Sequence, residues 1–259
     1  MLRALQTSRR ARFFASHLLI SAIAVGGVAA IVLFVWYPHP LFSLQGAPII
    51  LTLVAFVDVV VGPLLTLIVS SPKKSRRSLF RDLAIIGIVQ FAALVYGAHS
   101  LFIARPAFVV FNSDRFDVVG ANELANNENL TYRDPRFTST PLLGPVWTIA
   151  RPADSLDERN RMLFSTAMEA GPDIKDFPAL YEAWPPERRI DEEKLKSLGE
   201  LMATSPEGKQ AASDAMKASG LQENELSYVP LVGKERIGVV ILNRRTLAVV
   251  YATDAAPKY

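Results

Sequence analysis

Long apolar stretches dominate the first 104 residues of the chain. Residues 13–72 contain a single formal charge, Asp58, in 60 positions, and residues 83–104 contain none in 22. Soluble domains do not sustain such runs, whereas a helix needs about 20 apolar residues to cross a bilayer. The pattern predicts a membrane protein with three transmembrane α-helices, over about 13–37, 49–70 and 83–104.

The remaining residues, 105–259, have the mixed pattern of a small α+β domain. Short apolar runs between turn residues predict strands at 107–111, 115–119, 145–150, 237–242 and 247–251. Capping residues and helix-stopping Gly and Pro predict helices at 155–170, 191–203 and 206–219. The last two strands are almost continuously apolar, which is typical of a sheet covered on both faces. A polar stretch at 122–140 predicts a long loop.

Basic residues are concentrated beside the predicted spans. Residues 1–12 carry four arginines and residues 71–82 carry five basic residues, whereas residues 37–48 carry no charge. The positive-inside rule then places the N-terminus and the second loop in the cytoplasm and the domain 105–259 across the membrane. Residues 1–104 have a net charge of +7 and the rest −4, so the basic excess suits a lipid surface and not nucleic acid.

The N-terminus has an alternative interpretation as a cleaved export signal. Arg9-Arg10 resembles a twin-arginine signal, and Val28-Ala29-Ala30 resembles a small-residue cleavage site. We favour a retained anchor because this site falls inside the apolar run and Arg12 stands where such signals usually carry a hydrophobic residue.

Asp58 lies near the middle of the second span, where a carboxylate is costly unless it is neutralised, paired or hydrated. Three roles stay open: a protonated carboxyl that joins two helices, a contact to a binding partner, or proton transfer. Equal depths counted along the spans predict the Tyr96 hydroxyl as its hydrogen-bond partner. One turn after Asp58, Gly62-Pro63 predicts a kink.

The first span carries small residues at four-residue spacing, Ala22, Gly26 and Ala30. Such a face permits close approach of another helix. We favour packing against the protein's own spans over packing against a partner. His17 lies about one turn inside the cytoplasmic edge, and we interpret it as a residue that reaches lipid headgroups.

No motif in the sequence points to an enzyme, a metal site or a cofactor. The chain has no cysteine, residues 105–259 have no histidine, and neither a G-x-S-x-G motif nor a Walker loop occurs. The competing class is a membrane-anchored sensor or adaptor whose outer domain binds an envelope ligand. About 12 cytoplasmic residues at the N-terminus and 12 in the loop leave little room for a signalling output. A transporter is disfavoured because it would need polar groups along several spans, and Asp58 is nearly the only such group in the predicted spans.

Several segments together form a recognisable pattern. The most specific is Asp58-x-x-x-Gly62-Pro63 followed by Leu-Leu-Thr-Leu, and the first predicted hairpin adds Arg105-Pro106 and Asp114-Arg115-Phe116. These segments, which cover about half of the chain, resemble the TfpX/TfpZ family of type IV pilin accessory proteins. The resemblance implies a multi-pass protein of the bacterial inner membrane with a periplasmic domain, which supports pilus assembly and is not an enzyme.

The resemblance also implies the partners. They are a type IV pilin subunit (the major pilin), the lipid bilayer and, as a further candidate, the pilus assembly machinery. A membrane-held pilin presents one helix with a carboxylate about a turn inside the cytoplasmic face. We therefore expect His17, Ala22 and Gly26 to contact that helix while the outer domain touches the pilin head.

Overall fold

The computed structural model describes residues 2–71, 74–125, 130–151, 173–187 and 190–255. The chain divides into two compact units. The first comprises Met1–Leu33 and Ala47–Phe102, and the second comprises Phe34–Gly46 and Ile103–Tyr259. The segment Phe34–Gly46, which the sequence analysis assigned to the membrane half, therefore belongs with the second unit.

The first unit is built from long helices. The first five α-helices in chain order are α1 (Leu2–Ile31), α2 (Leu41–Leu44), α3 (Ala47–Ala55), α4 (Gly62–Val69) and α5 (Arg76–Ile103). The short helix α2 belongs to the second unit. A π-helical turn, Val32–Trp36, extends α1. A second π-helical stretch, Phe56–Val61, joins α3 to α4 in one continuous run.

Among the described residues, three helical segments are long and apolar enough to cross a membrane: Arg10–Trp36, Ala47–Val69 and Arg76–Ile103. Their outer faces leave large apolar side chains exposed, for example Ile20 and Ile68. This confirms the prediction of three long apolar helices. The third begins at Arg76, about two turns before the predicted start at Leu83.

Eight strands within the described ranges form the sheet of the second unit. They are β1 (Pro106–Asn112), β2 (Arg115–Gly120), β3 (Val146–Ala150), β4 (Tyr181–Ala183), β5 (Lys196–Ser197), β6 (Leu226–Val232), β7 (Ile237–Asn243) and β8 (Val249–Thr253). The order is β4-β3-β1-β2-β6-β7-β8, and β5 pairs with β6. The pairs β1–β3 and β2–β6 are parallel, and the other pairs are antiparallel.

The predicted hairpin, third strand and C-terminal strands are confirmed within one to two residues at most ends. The sequence analysis missed β4, β5 and β6. It also predicted a helix at 191–203, which is wrong over its first half. There the chain forms one 3₁₀ turn and β5, and α6 (Leu198–Thr204) begins only after Ser197, whose hydroxyl accepts from the Glu200 N–H.

The other predicted helices have different outcomes. The helix at 206–219 is confirmed as α7 (Pro206–Ser219), which Gly220 ends with a positive φ of 70°. The helix predicted at 155–170 lies outside the described residues.

Both faces of the sheet are covered, as its continuous apolar strands predict. On β7, Val239 and Ile241 face the cluster that includes buried residues of α6 and α7. Val240 and Leu242 face the opposite cluster, which contains Phe111 and Phe116 from the hairpin and Leu41 and Leu44 from α2.

The segment around α2 is fastened to the sheet by polar contacts as well. The Gln45 side-chain amide donates to the Val118 carbonyl at 3.0 Å, and the Glu235 N–H donates to the Leu44 carbonyl at 3.0 Å. A Cβ at Gly233 would overlap that same carbonyl, so glycine is needed where the β6–β7 turn meets Leu44. The linker between the first two apolar helices is thus part of the core of the sheet.

Candidate functional site

Asp58 occupies the π-helical stretch in the middle of the second apolar segment. Its side chain is buried at 3% exposure. The wider turn is visible in the hydrogen bonding, since the Gly62 N–H donates to the Val57 carbonyl, five residues back. In the same register the next donor would serve the Asp58 carbonyl, but that position is Pro63, which has no N–H.

Gln90 on α5 supplies the missing donor. Its side-chain Nε2 lies 3.1 Å from the Asp58 carbonyl oxygen, 3.3 Å from the Asp58 carboxyl Oδ1 and 3.4 Å from the Val57 carbonyl. Gln90 is itself 92% buried, with 8% exposure. One amide thus satisfies the carbonyl that the proline leaves without a partner and binds the carboxyl of the same residue.

Gly62 makes this approach possible. A Cβ at position 62 would overlap the Gln90 amide group. The Gly62-Pro63 pair therefore has two separate roles: proline frees a backbone carbonyl, and glycine opens the space through which Gln90 reaches it. We call Asp58, Gly62, Pro63 and Gln90 the Gln90 clasp.

The predicted Asp58–Tyr96 hydrogen bond is wrong. Tyr96 is 75% exposed, and its position on α5 is six residues past Gln90. The depth count started the third helix at Leu83, whereas the helix starts at Arg76, seven residues earlier. That shift moves the position opposite Asp58 from Tyr96 back to about Gln90.

The Gln90 clasp joins the second apolar helix to α5 through side-chain hydrogen bonds. Among the described residues, Asp58 Oδ2 and Gln90 Oε1 are buried without a hydrogen-bond partner. The amide is a neutral group that offers both a donor and an acceptor, and its observed bond to the carboxyl is a donation to Asp58 Oδ1. Of the three roles that the sequence left open for Asp58, this geometry favours a carboxyl that joins two helices, and its protonation stays a prediction.

A second polar contact joins α1 to α4. His17 Nδ1 lies within hydrogen-bond distance of the hydroxyl of Thr66, whose residue is 1% exposed. Nearby, the Arg10 guanidinium donates to the Ser70 carbonyl at 3.0 Å. The His17 ring therefore hydrogen-bonds inside the first unit, and its contact with lipid headgroups stays a prediction.

The small-residue face of α1 is open. Ala22, Gly26 and Ala30 are exposed, and nothing lies within 4 Å of a Cβ built at Gly26. The buried positions of this helix are on another side, at Ser21 and Val25. The expectation that Ala22 and Gly26 pack against the protein's own spans is therefore wrong.

The close helix approach that small residues permit occurs elsewhere, on α5. A Cβ at Gly97 would overlap the Val54 side chain of α3.

The hairpin motif residues of the second unit have structural roles. Pro106 opens β1, and the Arg105 guanidinium, buried at 5% exposure, donates to the Pro141 carbonyl at 2.9 Å. Phe116 is fully buried, with its ring 4.9 Å from that of Trp184. Asp114 follows Ser113, whose φ of 65° makes the tight turn between β1 and β2.

Arg115 is ion-paired with a buried acid. Its Nε lies 3.2 Å from Asp117 Oδ1, and Asp117 is 3% exposed. The Asp117 charge raises the pKa of the Arg115 guanidinium. The Asp117 carboxylate also accepts from the Asn112 amide at 3.3 Å and so fixes the hairpin end.

Comparison with known proteins assigns the chain to a family. The profile described as "Fimbrial assembly protein FimB" matches residues 6–46. The fimbrial assembly protein of serogroups C1 and C2 from Dichelobacter nodosus is 33% identical over 112 residues, which cover 43% of this chain and 86% of that relative. The chain belongs to the FimB family of fimbrial assembly proteins.

Two longer relatives in this family match nearly the whole chain. The fimbrial assembly proteins of Dichelobacter nodosus serogroups I and E1 are 27% and 26% identical over 239 residues, which cover 92% of this chain and 92% of each relative. The matched length therefore includes most of both units. No solved structure shows a significant match. The comparisons name FimB, and the finer TfpX/TfpZ assignment stays a prediction.

Gln90 is the site residue that the sequence analysis missed. A polar residue inside an apolar span indicates a contact within the helix bundle. The sequence analysis considered charged residues in the spans and did not consider this uncharged amide. A count from the correct helix start would have placed it opposite Asp58.

Proposed function

We propose that this protein is a multi-pass inner-membrane protein that supports the assembly of type IV pilin subunits into surface fimbriae. The observation that carries the proposal is the match, over 92% of both chains, to proteins named for fimbrial assembly. The three long apolar helices support a place in the membrane.

The proposed orientation has the N-terminus in the cytoplasm and the second unit in the periplasm. It rests on the basic residues of the N-terminus and of the loop before α5. The Arg10 contact to the Ser70 carbonyl is consistent with it, because it joins the two basic regions at one end of the helices.

The proposed partner in the membrane is the pilin helix. Its docking surface is the open face of α1 at Ala22 and Gly26, where an incoming backbone meets no side chain. His17 lies between this face and the cytoplasmic end of α1 and would have to leave Thr66 to meet a pilin carboxylate. The contact is therefore proposed chiefly through Ala22 and Gly26.

Deletion and complementation test the role. Loss of the gene should abolish surface fimbriae, measured by electron microscopy and by pilin in sheared fractions, and plasmid-borne protein should restore them. Fimbriae at wild-type number in the deletion strain would refute the role. A loss of fimbriae at normal cellular pilin would place the defect in assembly and not in pilin stability.

Photocrosslinking tests the pilin contact. A photoreactive residue at position 22 or 26 should form adducts with pilin, whereas the matched control at Ile88, which is 69% exposed on α5, should label lipid. Lipid adducts alone from 22 and 26 would contradict the docking surface. A reporter fused after Tyr259 that is active only in the cytoplasm would contradict the orientation.

A further inference from the structure

Few large apolar side chains of the second unit are exposed among its described residues. Within its described residues, those more than about a third exposed are Phe34, Ile103, Leu142, Leu143 and Val146. Leu143 is 80% exposed and Leu142 is 63% exposed. Phe34 and Ile103 lie at the ends of the first and third apolar helices, but Leu142 and Leu143 lie in a loop more than 35 residues further on. Their exposure is a feature that a water-soluble surface does not explain.

The loop is held beside the ends of those two helices. On one side of the leucine pair, the Pro141 carbonyl accepts a hydrogen bond from the buried Arg105, two residues after α5 ends. On the other side, a Cβ built at Gly144 would lie 3.5 Å from the carbonyl oxygen of Val35, in the last turn of the first apolar helix. Both contacts lie within the second unit. Leu142 and Leu143 therefore lie near the ends of the first and third apolar helices.

The composition of the loop suits a lipid environment. No charged residue occurs from Phe137 through Ala150, so insertion would not require a charge to be dehydrated. Gly144 has a φ of 65°, which ends the projecting dipeptide with a tight turn that a side chain would strain. Pro141 and Pro145 flank the turn and limit the conformations of the loop.

We propose that Leu142 and Leu143 insert into the outer leaflet of the same bilayer that holds the apolar helices, and so anchor the second unit to the membrane surface. The ligand is the lipid bilayer itself. The assignment rests on the proposed membrane placement of the helices, because the loop contacts the points where two of them end. Interfacial apolar groups of this kind are buried about 5–10 Å into the headgroup and acyl boundary.

Spin labelling of the full chain in lipid vesicles tests the inference. The chain has no cysteine, so a single Leu143→Cys variant takes one label without other changes. Oxygen partitions into lipid and a nickel chelate into water. Collision with either reagent speeds the relaxation of the spin label, which is measured as a rise in the microwave power needed to saturate its signal. The label at 143 should collide more often with oxygen than with nickel, like a label at Phe34→Cys, which is 80% exposed at a helix end.

Two further labels separate the outcomes. Ala218→Cys, exposed on α7 of the same unit, should report water, and Ile23→Cys, 67% exposed on α1, should report lipid. A label at 143 that behaves like 218 while 23 reports lipid would overturn the loop insertion alone. A water signal at 23 would overturn the membrane placement as well. Protection of 143 from both reagents would overturn lipid as the ligand and indicate a protein contact.

Discussion

The side-chain amide of Gln90 donates to the backbone carbonyl of Asp58 across 3.1 Å, and it does so at the one carbonyl that Pro63 leaves without its helical donor. In a lipid environment a backbone carbonyl without a hydrogen-bond donor is unfavourable, because no water is present to replace the donor. The contact therefore lets a proline and a π-helical stretch exist in the middle of an apolar helix. It also couples the second and third apolar helices at the depth of the buried acid.

Replacement of Gln90 by the near-isosteric methionine tests the clasp. We expect Gln90→Met to destabilise the full chain by about 1 kcal/mol, the range measured for hydrogen bonds between membrane helices. Reversible unfolding in mixed micelles would measure the loss. Ile88→Ala, on an exposed face of the same helix, is the control. Equal stability of Gln90→Met and wild type would contradict the clasp.

Gly62→Ala should expel the Gln90 amide, because the added Cβ overlaps it. We expect a loss of about 1–3 kcal/mol, as for other overpacked sites. The double variant Gly62→Ala/Gln90→Ala should lose less than the sum of its two single changes, since alanine at 90 removes the overlap. Gly26→Ala is the matched control: it meets open space and should be neutral or slightly stabilising. Strict additivity in the double variant would argue against contact between 62 and 90.

Asp58→Asn separates charge from hydrogen bonding. If the carboxyl is a neutral staple, asparagine keeps an Oδ1 acceptor for Gln90 and should retain both stability and surface fimbriae, whereas Asp58→Leu should lose about 1 kcal/mol or more through the lost bond. The measurements are micelle unfolding and counts of fimbriae per cell. An Asp58→Asn protein that is stable but forms no fimbriae would show that the ionised carboxylate is required.

Gly233→Ala should loosen the segment around α2 from the sheet. Its Cβ would meet the backbone of Leu44, which cannot move as a flexible side chain could. We expect about 1–3 kcal/mol of destabilisation, together with faster amide hydrogen exchange at Glu235, whose N–H bonds the Leu44 carbonyl. Gly199→Ala is the control, since there the nearest atom is the flexible end of Glu223. An unchanged exchange rate at Glu235 would contradict close packing of Gly233 against Leu44.

Stability of the loop before β3 should depend on pH through Asp134. The Arg136 guanidinium, 2.9 Å from Asp134 Oδ2, holds the pKa of that carboxyl below its ordinary value. A carboxyl whose folded pKa is depressed stabilises the fold above its unfolded pKa, and the contribution disappears as the pH falls through the folded value. Asp134→Asn should lower Tm slightly at pH 7, because the ion pair is exposed to solvent, and the difference from wild type should shrink as the pH falls through the lowered pKa of Asp134. A difference that is constant with pH would exclude the ion pair as its cause.

The apolar helices and most strands could be predicted because burial in lipid or in a two-sided sheet requires uninterrupted apolar runs. The site was harder to predict, since a contact between helices depends on where each helix starts. The basic residues at the start of α5 were interpreted as loop, which shifted the facing position from Gln90 to Tyr96. The burial of Asp117 could not be predicted either, because a sequence shows its charge but not the arginine and asparagine that surround it.

Segment Phe34–Gly46 could not be assigned from sequence at all. The sequence analysis assigned residues 34–37 to the first span and left 38–46 between the first two spans, yet Leu41 and Leu44 fill the core of the sheet. Only the three-dimensional contacts of Gln45 and Leu44 with β2 and the β6–β7 turn reveal this.

That arrangement has a practical consequence for dissecting the protein. A fragment cut at the obvious boundary, residues 105–259, would lack two fully enclosed leucines and the amide of Gln45, so its interior would be left with a gap. Recombinant work on the outer half alone should splice residues 34–46 ahead of Ile103 through a flexible tether, so that the excised piece carries its complete hydrophobic centre.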